Sequence, residues 1–312
     1  MGELYWLASY PKSGNTWMRI LLTNYLRNSD TPADINDLEG GPIASARGVF
    51  DEHVGIEASD LNQDEIERYR PYVYEQQSNE HARLLAKYPQ MHPPFLKVHD
   101  AYTYTSENIP LISKAATAGV IYLLRNPFDV AVSFAHHSAA PIEKTIQHMN
   151  DSSFTFVDDP NKLHNQLRQK LLTWSGHATS WLDEPGLRVL LVRYEDLLAD
   201  TPAEFSRVLQ FAGLEPEPER VEKAVRFSNF KNLQKQEAEH GFREKMPKAK
   251  SFFRSGVSDS WKDTLSDDLR EQIIANHGSV MQQFGYLNDG NFHLEQPENN
   301  QQGKQREVSY RQ

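Results

Sequence analysis

Apolar residues fall into short unbroken runs and longer periodic stretches, with turn-forming residues between them. Leu4 to Ser9 is a short apolar run that predicts a buried strand. Tyr10 to Asn15, holding Pro11 and Gly14, predicts a turn, and Thr16 to Arg27 predicts a helix with Trp17, Met18, Leu21, Leu22 and Tyr25 on one side. Residues 28–60 keep no period and contain Gly40-Gly41-Pro42, so irregular structure is expected. Asp64 to Lys87 predicts a helix that Pro71 should interrupt or bend. Phe95 to Val98 and Gly119 to Leu124 (GVIYLL) predict strands. Arg125-Asn126-Pro127 ends the second of these, and Phe128 to His137 predicts a helix with Asp129 in its first turn. Beyond lie a predicted helix over Leu163 to Leu182, a strand over Leu187 to Val192, and helices over Pro202 to Phe211, Pro218 to Phe227 and Leu265 to Phe284. Lys245 to Ser260, with three Lys and Arg254 but little apolar period, predicts a ligand-covering loop. Residues 288–312 are rich in Asn, Gln and charge and predict a disordered tail.

Buried strands alternating with helices predict an α/β fold, a central mostly parallel sheet flanked by helices on both faces. Ligands in such sheets bind beyond the carboxyl ends of the strands. The loops after Ser9, Leu124 and Val192 all lie there.

Composition narrows the ligand. The 312 residues carry 33 basic and 43 acidic side chains, a formal charge of −10, which argues against sequence-independent nucleic-acid binding. A few Lys and Arg can still set the field for a small anion. With no cysteine, disulfides, thiolate catalysis and Cys-ligated zinc are excluded, and a reducing compartment fits. Met1-Gly2-Glu3 leads directly into an apolar strand, and no run approaches the ~20 apolar residues of a membrane span. A cytoplasmic protein without a leader is therefore expected.

The first loop, Tyr10-Pro11-Lys12-Ser13-Gly14-Asn15-Thr16-Trp17, opens a helix, where unpaired backbone N–H groups attract phosphate. Gly14 allows close approach, Lys12 adds a full charge, and Ser13 and Thr16 add hydroxyl donors. It is not a G-x-x-x-x-G-K-[ST] loop, because the Lys precedes the glycine. The second loop, Arg125-Asn126-Pro127-Phe128-Asp129-Val130-Ala131-Val132-Ser133, offers an Arg able to grip phosphate bidentately. Ser133, about two helical turns on at ~3.6 residues per turn, can face the same ligand. In Phe95-Leu96-Lys97-Val98-His99, Lys97 and His99 project to one side of the strand, a cation and a base together.

The first loop resembles the phosphosulfate loop of sulfotransferases that use 3′-phosphoadenosine 5′-phosphosulfate (PAPS), roughly YPKSGTTW, departing only at Asn15. The second resembles that family's 3′-phosphate segment, roughly RNPxDVAVS. The Lys97–His99 segment resembles its K-T-H segment, RYEDLL its Tyr-Glu-Asp segment, Ser228 to Leu233 (SNFKNL) its adenine-side segment, and Phe253 to Lys262 its RKGxxGDWK loop. The resemblance spans roughly residues 4 to 285 and implies a P-loop-like nucleotide-binding fold, a sulfotransferase domain over 1–287, an acceptor-side insertion over 28–95 and a cofactor-covering loop over 242–262.

It also implies roles. Lys12 would contact the oxygen bridging sulfate and phosphate, Ser13, Gly14, Asn15 and Thr16 would hold the 5′-phosphate, and Trp17 would pack on adenine. Arg125, Ser133, Arg254 and Gly256 would hold the 3′-phosphate. Tyr194, Ser228, Phe230, Leu233 and Phe253 would lie along the nucleotide, His99 would be the general base, and Lys97 would neutralise sulfuryl oxygens. Ser255 replaces a Lys of the family loop and Ser260 an Asp, while His136 and His137 compete with His99 as structural or acceptor-facing residues. No metal is implied. The acceptor, a small molecule, lipid or glycan bearing a hydroxyl or less readily an amine, is not legible. Phe50, Tyr69, Tyr72, Tyr74, Tyr102 and Tyr104 are candidates for its pocket or for the core. The opening WLASYPKSGNTW resembles bacterial members more than animal ones, and the sequence leaves a homodimer open. The rival readings are a P-loop-like small-molecule or nucleotide kinase, with Asp129 or Asp196 holding Mg²⁺, and a non-catalytic nucleotide-binding protein on the same fold.

Overall fold

A computed structural model describes residues 2–159, 164–254 and 256–287, so the predicted tail at 288–312, the start of the predicted helix at Leu163, and Ser255 lie outside the described residues. The sheet has four parallel strands in the order β2 (Phe95–Val98), β1 (Leu4–Ala8), β3 (Thr117–Leu124) and β6 (Val189–Arg193). Between β3 and β6 lies a separate antiparallel pair, β4 (Thr155–Phe156) and β5 (Gln169–Lys170).

The central strands are buried on both faces, which is why they read as unbroken apolar runs. Leu4, Trp6, Ala8, Val98, Val120, Tyr122 and Leu124 face one core, and Tyr5, Leu7, Phe95, Ile121 and Leu123 face the other. The first core is closed by α3 (Gln63–Lys87), α4 (Pro127–Ser138), α5 (Ile142–Asn150), α6 (Trp174–Leu182) and α11 (Asp267–Gln283). The second is closed by α1 (Asn15–Arg27), α8 (Thr201–Phe211) and α9 (Pro218–Phe227). Two short helices, α2 (Arg47–Val54) and α7 (Tyr194–Ala199), and α10 (Phe230–His240) complete the set.

Three expectations change. Residues 28–60 are not wholly irregular: α2 and a 3₁₀ turn at Ala58–Asp60 lie within them, hidden by the shortness of α2 and by Gly48 and Gly55. Pro71 does not break α3, which runs on through it after a capping box in which Asn62 and Glu65 satisfy each other's backbone N–H. The predicted helix over Leu163 to Leu182 is helical only from Trp174. Upstream the chain is extended, with Leu167, Gln169 and Leu171 buried in alternation. Its backbone N–H groups go sideways, from Leu167 to the Ser45 carbonyl (2.7 Å) and from Leu171 to that of Phe154 (2.9 Å). Thr173 then caps α6 by accepting from Gly176 N–H (2.9 Å).

Candidate active site

The carboxyl ends of β1, β2 and β3 open onto one cavity of about 1130 Å³. The turn after β1 reverses the chain within a few residues, with Lys12 at φ 71° and Gly14, the N-cap of α1, at φ 104°. A side chain at position 14 would strike the Tyr194 ring, whose Cδ2 lies 2.8 Å from where a Cβ would stand, so only glycine brings this backbone so close to the site. Ser13 is 1% exposed and its Oγ has no protein partner, but alone among residues 12–17 it does not line the cavity. Lys12 lays its ammonium 3.9 Å from the centre of the Phe252 ring. Burial, with Lys97 and Arg125 beside it, pulls the Lys12 ammonium down to about 7.

Asn15 points its amide backwards. Its Nδ2 donates to the Leu7 carbonyl (2.7 Å) and Ser9 Oγ (3.2 Å), bracing the end of β1, which leaves its backbone N–H for the cavity. Thr16 and Trp17 line the cavity, with Trp17 Nε1 held by the Ser228 carbonyl (3.1 Å) and its ring edge-on to Tyr194.

At the end of β2, Lys97 and His99 both line the cavity. His99 Nδ1 lies 2.9 Å from the Ser9 carbonyl. A carbonyl only accepts, so Nδ1 carries the proton and Nε2 is left with its lone pair. Burial first, then the charge of Lys97, holds His99 well below the usual histidine range, so it is neutral at pH 7. His177 fixes the His99 backbone: its Nε2 donates to the His99 carbonyl (3.0 Å), and Tyr122 Oη donates to its Nδ1 (2.8 Å). The next residue, Asp100, is clamped in a bidentate pair by Arg70 (2.8 Å to each oxygen).

The loop after β3 brings Arg125 to within 8% exposure, with Nη1 on the Lys12 carbonyl (3.1 Å), Nη2 on the Val257 carbonyl (3.1 Å) and Nε unpartnered. Its guanidinium lies 4.3 Å over the Tyr194 ring. Glu195 supports the loop, accepting from Asn126 N–H (2.9 Å) and from Tyr286 Oη (2.9 Å). Ser133, Ser228, Phe230, Leu233, Phe253, Arg254 and Gly256 all reach the same cavity. Phe230 packs so tightly on Gly256 that a Cβ there would stand 2.4 Å from its Cδ2.

Two residues lining the cavity, Arg19 and Glu244, carried no sequence signal. Glu244 accepts from Arg19 Nη1 (2.5 Å), Lys97 Nζ (2.9 Å) and Thr16 Oγ1 (3.3 Å). Burial pushes its carboxyl up, but Lys97 and Arg19 outweigh this and hold it at about 2. Asp129 ties down the covering loop, taking Asp259 N–H (2.8 Å) and Ser260 Oγ–H (2.9 Å), which explains a Ser at 260 where an Asp would meet Asp129. Asp196 pairs with Arg193 (3.2 Å). Both carboxylates that a kinase reading needs for Mg²⁺ are thus engaged elsewhere.

The acceptor-side expectation changes most. None of Phe50, Tyr69, Tyr72, Tyr74, Tyr102 and Tyr104 lines the cavity. Phe50, Tyr74 and Tyr102 are core, and Tyr69, Tyr72 and Tyr104 are exposed. Residues 28–95 lend the wall only Gly41, Pro42, Ile43 and Ala46. Phe134, His137, Phe156, Gln169, Met246 and Phe252 are among the other residues that line the cavity. His137 is held down to about 3 by burial and the charge of Lys12, with Nδ1 unpartnered, whereas His136 faces a second, outer cleft.

Comparison with known proteins places these features in context. A model of the family described as "Sulfotransferase domain" matches residues 3–285. Cytosolic sulfotransferase 12 of Arabidopsis thaliana is 25% identical over 292 residues, covering 86% of this chain and 74% of its own. Sulfotransferase 1E1 of Mus musculus is 23% identical, covering 88% of this chain and 82% of its own. Among solved structures, mouse sulfotransferase SULT7A1 complexed with PAP superposes with a TM-score of 0.56 at 17% identity, over 90% of this chain and 85% of that one. Retinol dehydratase in complex with androsterone and inactive cofactor PAP gives 0.55 at 19%, over 94% and 83%. These two share the fold. The plant and mouse relatives lend no support to the likeness with bacterial members.

Proposed function

This chain belongs to the sulfotransferase domain family, and from that premise we propose that it transfers the sulfuryl group of PAPS to an acceptor hydroxyl, releasing adenosine 3′,5′-bisphosphate. The observation that carries the reading is a single cavity reached from two strand ends, by Lys12 and the glycine-opened start of α1 from one and by the buried Arg125, its Nε unmatched, from the other. The PAP named in the two superposed structures supports the same nucleotide.

Sulfuryl transfer is an in-line displacement in which charge spreads over oxygens, so the protein's work is positioning and electrostatics. The N–H groups opening α1 and Thr16 hold the 5′-phosphate. Arg125, Ser133 and Arg254 hold the 3′-phosphate, with Gly256 giving its backbone room, and Trp17, Tyr194, Ser228, Phe230, Leu233 and Phe253 border the nucleoside. His99 Nε2 takes the acceptor proton as the acceptor oxygen bonds to sulfur and the bond from sulfur to the bridging oxygen breaks. Lys12 meets the charge left on that oxygen, and Lys97 neutralises the sulfuryl oxygens. Residues 1–287 form the catalytic unit, with 242–262 as its covering loop. A cytoplasmic site of action fits the absence of cysteine and the name of the plant relative; no helix among the described residues is long and apolar enough to cross a membrane.

The test is calorimetry with adenosine 3′,5′-bisphosphate. Saturable binding that Arg125→Ala weakens is expected, and no binding, or binding only of ATP with Mg²⁺, overturns the reading in favour of the kinase. For chemistry, His99→Ala should lower kcat by about 10²–10⁴-fold while leaving bisphosphate affinity unchanged. Full transfer activity in that variant removes the base.

A further inference from the structure

Among the described residues lining the cavity, Glu244 is the only carboxylate. It stands in the loop after α10, and Arg243, Lys245 and Met246 beside it line the cavity as well. Its partners come from distant parts of the chain: Arg19 and Thr16 on α1, and Lys97 on β2. Two of the three, Thr16 and Lys97, are the groups that the reading above gives to the 5′-phosphosulfate. A carboxylate and a phosphate or sulfate oxygen ask for the same donors, charge-assisted and short. Arg19, 6% exposed, also donates to the Gly41 carbonyl (3.2 Å), so the carboxylate links three walls of the cavity at one point.

We propose that Glu244 is an internal occupant of the anion site. In the free protein its carboxylate stands where the phosphosulfate will stand, and nucleotide binding is an exchange in which it leaves. The proposal rests on the PAPS reading of the same cavity. Two anions sharing Lys97 and Thr16 repel. The arriving ligand therefore has to carry its own charge on the 5′ side to displace the carboxylate. Release also frees the loop from α1 and β2. Glu244 thus makes the site answer to the 5′ anion, and a nucleotide charged only on the 3′ side leaves the carboxylate in place.

The experiment compares the wild-type chain, Glu244→Gln and Glu244→Asp by calorimetry with two probes, adenosine 3′,5′-bisphosphate and adenosine 3′-monophosphate. Glu244→Gln removes the charge, and Glu244→Asp keeps it but shortens the reach. An exchanging carboxylate predicts bisphosphate binding tighter by about tenfold in both, with the 3′-monophosphate bound alike by all three proteins. Unchanged or weaker bisphosphate binding in the variants makes Glu244 a fixed brace and overturns the proposal. Tightening in Glu244→Gln alone reduces it to a field effect without contact, and an equal gain for the 3′-monophosphate removes the 5′ selectivity; either result overturns it. Should Glu244→Gln fail to fold for want of a partner to Arg19, Glu244→Asp carries the test alone. Bisphosphate binding by none of the three would remove the functional reading itself and the proposal with it.

Discussion

Lys12 sits at φ 71°, in the left-handed region, where an L-residue with a Cβ is strained by roughly 1–2 kcal/mol. Its ammonium is also buried against two other cations and lowered to about 7, from the usual 10.5 of a lysine. Between about 7 and about 10.5 the unfolded chain holds this proton and the folded chain does not. The penalty on folding is thus full below about 7 and fades as pH rises towards 10.5. Lys12→Met should therefore raise the unfolding temperature of the ligand-free protein near neutral pH, by about 2–4 °C per kcal/mol recovered. The gain should shrink in scanning calorimetry towards pH 10, and the same variant should lose transfer activity. Nucleotide binding supplies the missing anions, so it should take up a proton near pH 7.5, visible as a dependence of binding heat on the buffer's ionisation enthalpy. In the wild type, kcat/KM for the nucleotide should fall as pH rises above about 7, because the free enzyme then loses the Lys12 charge. Lys12, Gly14 and Arg125 were legible because their neighbours in sequence are their neighbours in the site. Glu244 was not, since its partners Lys97 and Thr16 lie 147 and 228 residues away and nothing local marks a surface-type Glu in a loop.

The loop over residues 242–262, a nucleotide cover in the function proposed above, owes its seat to α4. Asp129 in the first turn of that helix takes two bonds from Asp259 and Ser260, and Trp261 stacks on Phe128 with ring centres 4.5 Å apart. Loss of hydrogen bonds to a buried carboxylate costs about 1.5–3 kcal/mol each, so Asp129→Ala should raise the KM for PAPS by about tenfold or more. The acceptor KM should change less, because Met246 and Phe252, which this loop lends to the acceptor-side wall, stand upstream of the anchored Asp259 and Ser260. Equal increases in both constants would mean that α4 itself had shifted. The same helix shows what pattern reading can find: Asn126, Pro127 and Asp129 announce a capped start, and the structure caps it with Asn126 accepting from Phe128 N–H (3.0 Å). The stretch before α6 shows the opposite case. Leu163, Leu167, Leu171 and Trp174 fall at helical spacing, yet burial alternates because Gln169, a polar residue, takes an inward position. A polar residue in a core position hides a strand's period, and only the partners of its backbone reveal it. The acceptor wall was illegible for a related reason: it is assembled from the ends of α4, β4 and β5 and the covering loop, none of which is adjacent in sequence to another's contribution.

At the scale of the whole molecule, the fold was the most legible property. Strands buried on both faces leave no freedom but an apolar run, and runs alternating with helices force a parallel sheet. Charge was legible only as a total. The −10 of the chain says nothing of a cavity whose charged lining is Lys12, Arg19, Lys97, Arg125, Arg243, Lys245 and Arg254 against Glu244. An acidic exterior around a cationic cleft turns a multiply charged nucleotide away from most of the surface and draws it to the mouth, where low-dielectric walls focus the field. At about 0.01 M ionic strength the field reaches roughly 30 Å, and at about 0.15 M roughly 8 Å. Association of a polyanion should weaken steeply between those limits. The second-order rate constant for adenosine 3′,5′-bisphosphate binding, followed by stopped-flow Trp fluorescence, should fall by about tenfold over that range, while the dissociation rate changes little. Arg243→Gln, on the exposed lip, and Lys245→Gln, half-buried beside it, should flatten the salt dependence without changing kcat. A salt slope left intact by both would place the steering field in the buried cations instead, and would make the lip a mere border of the cleft.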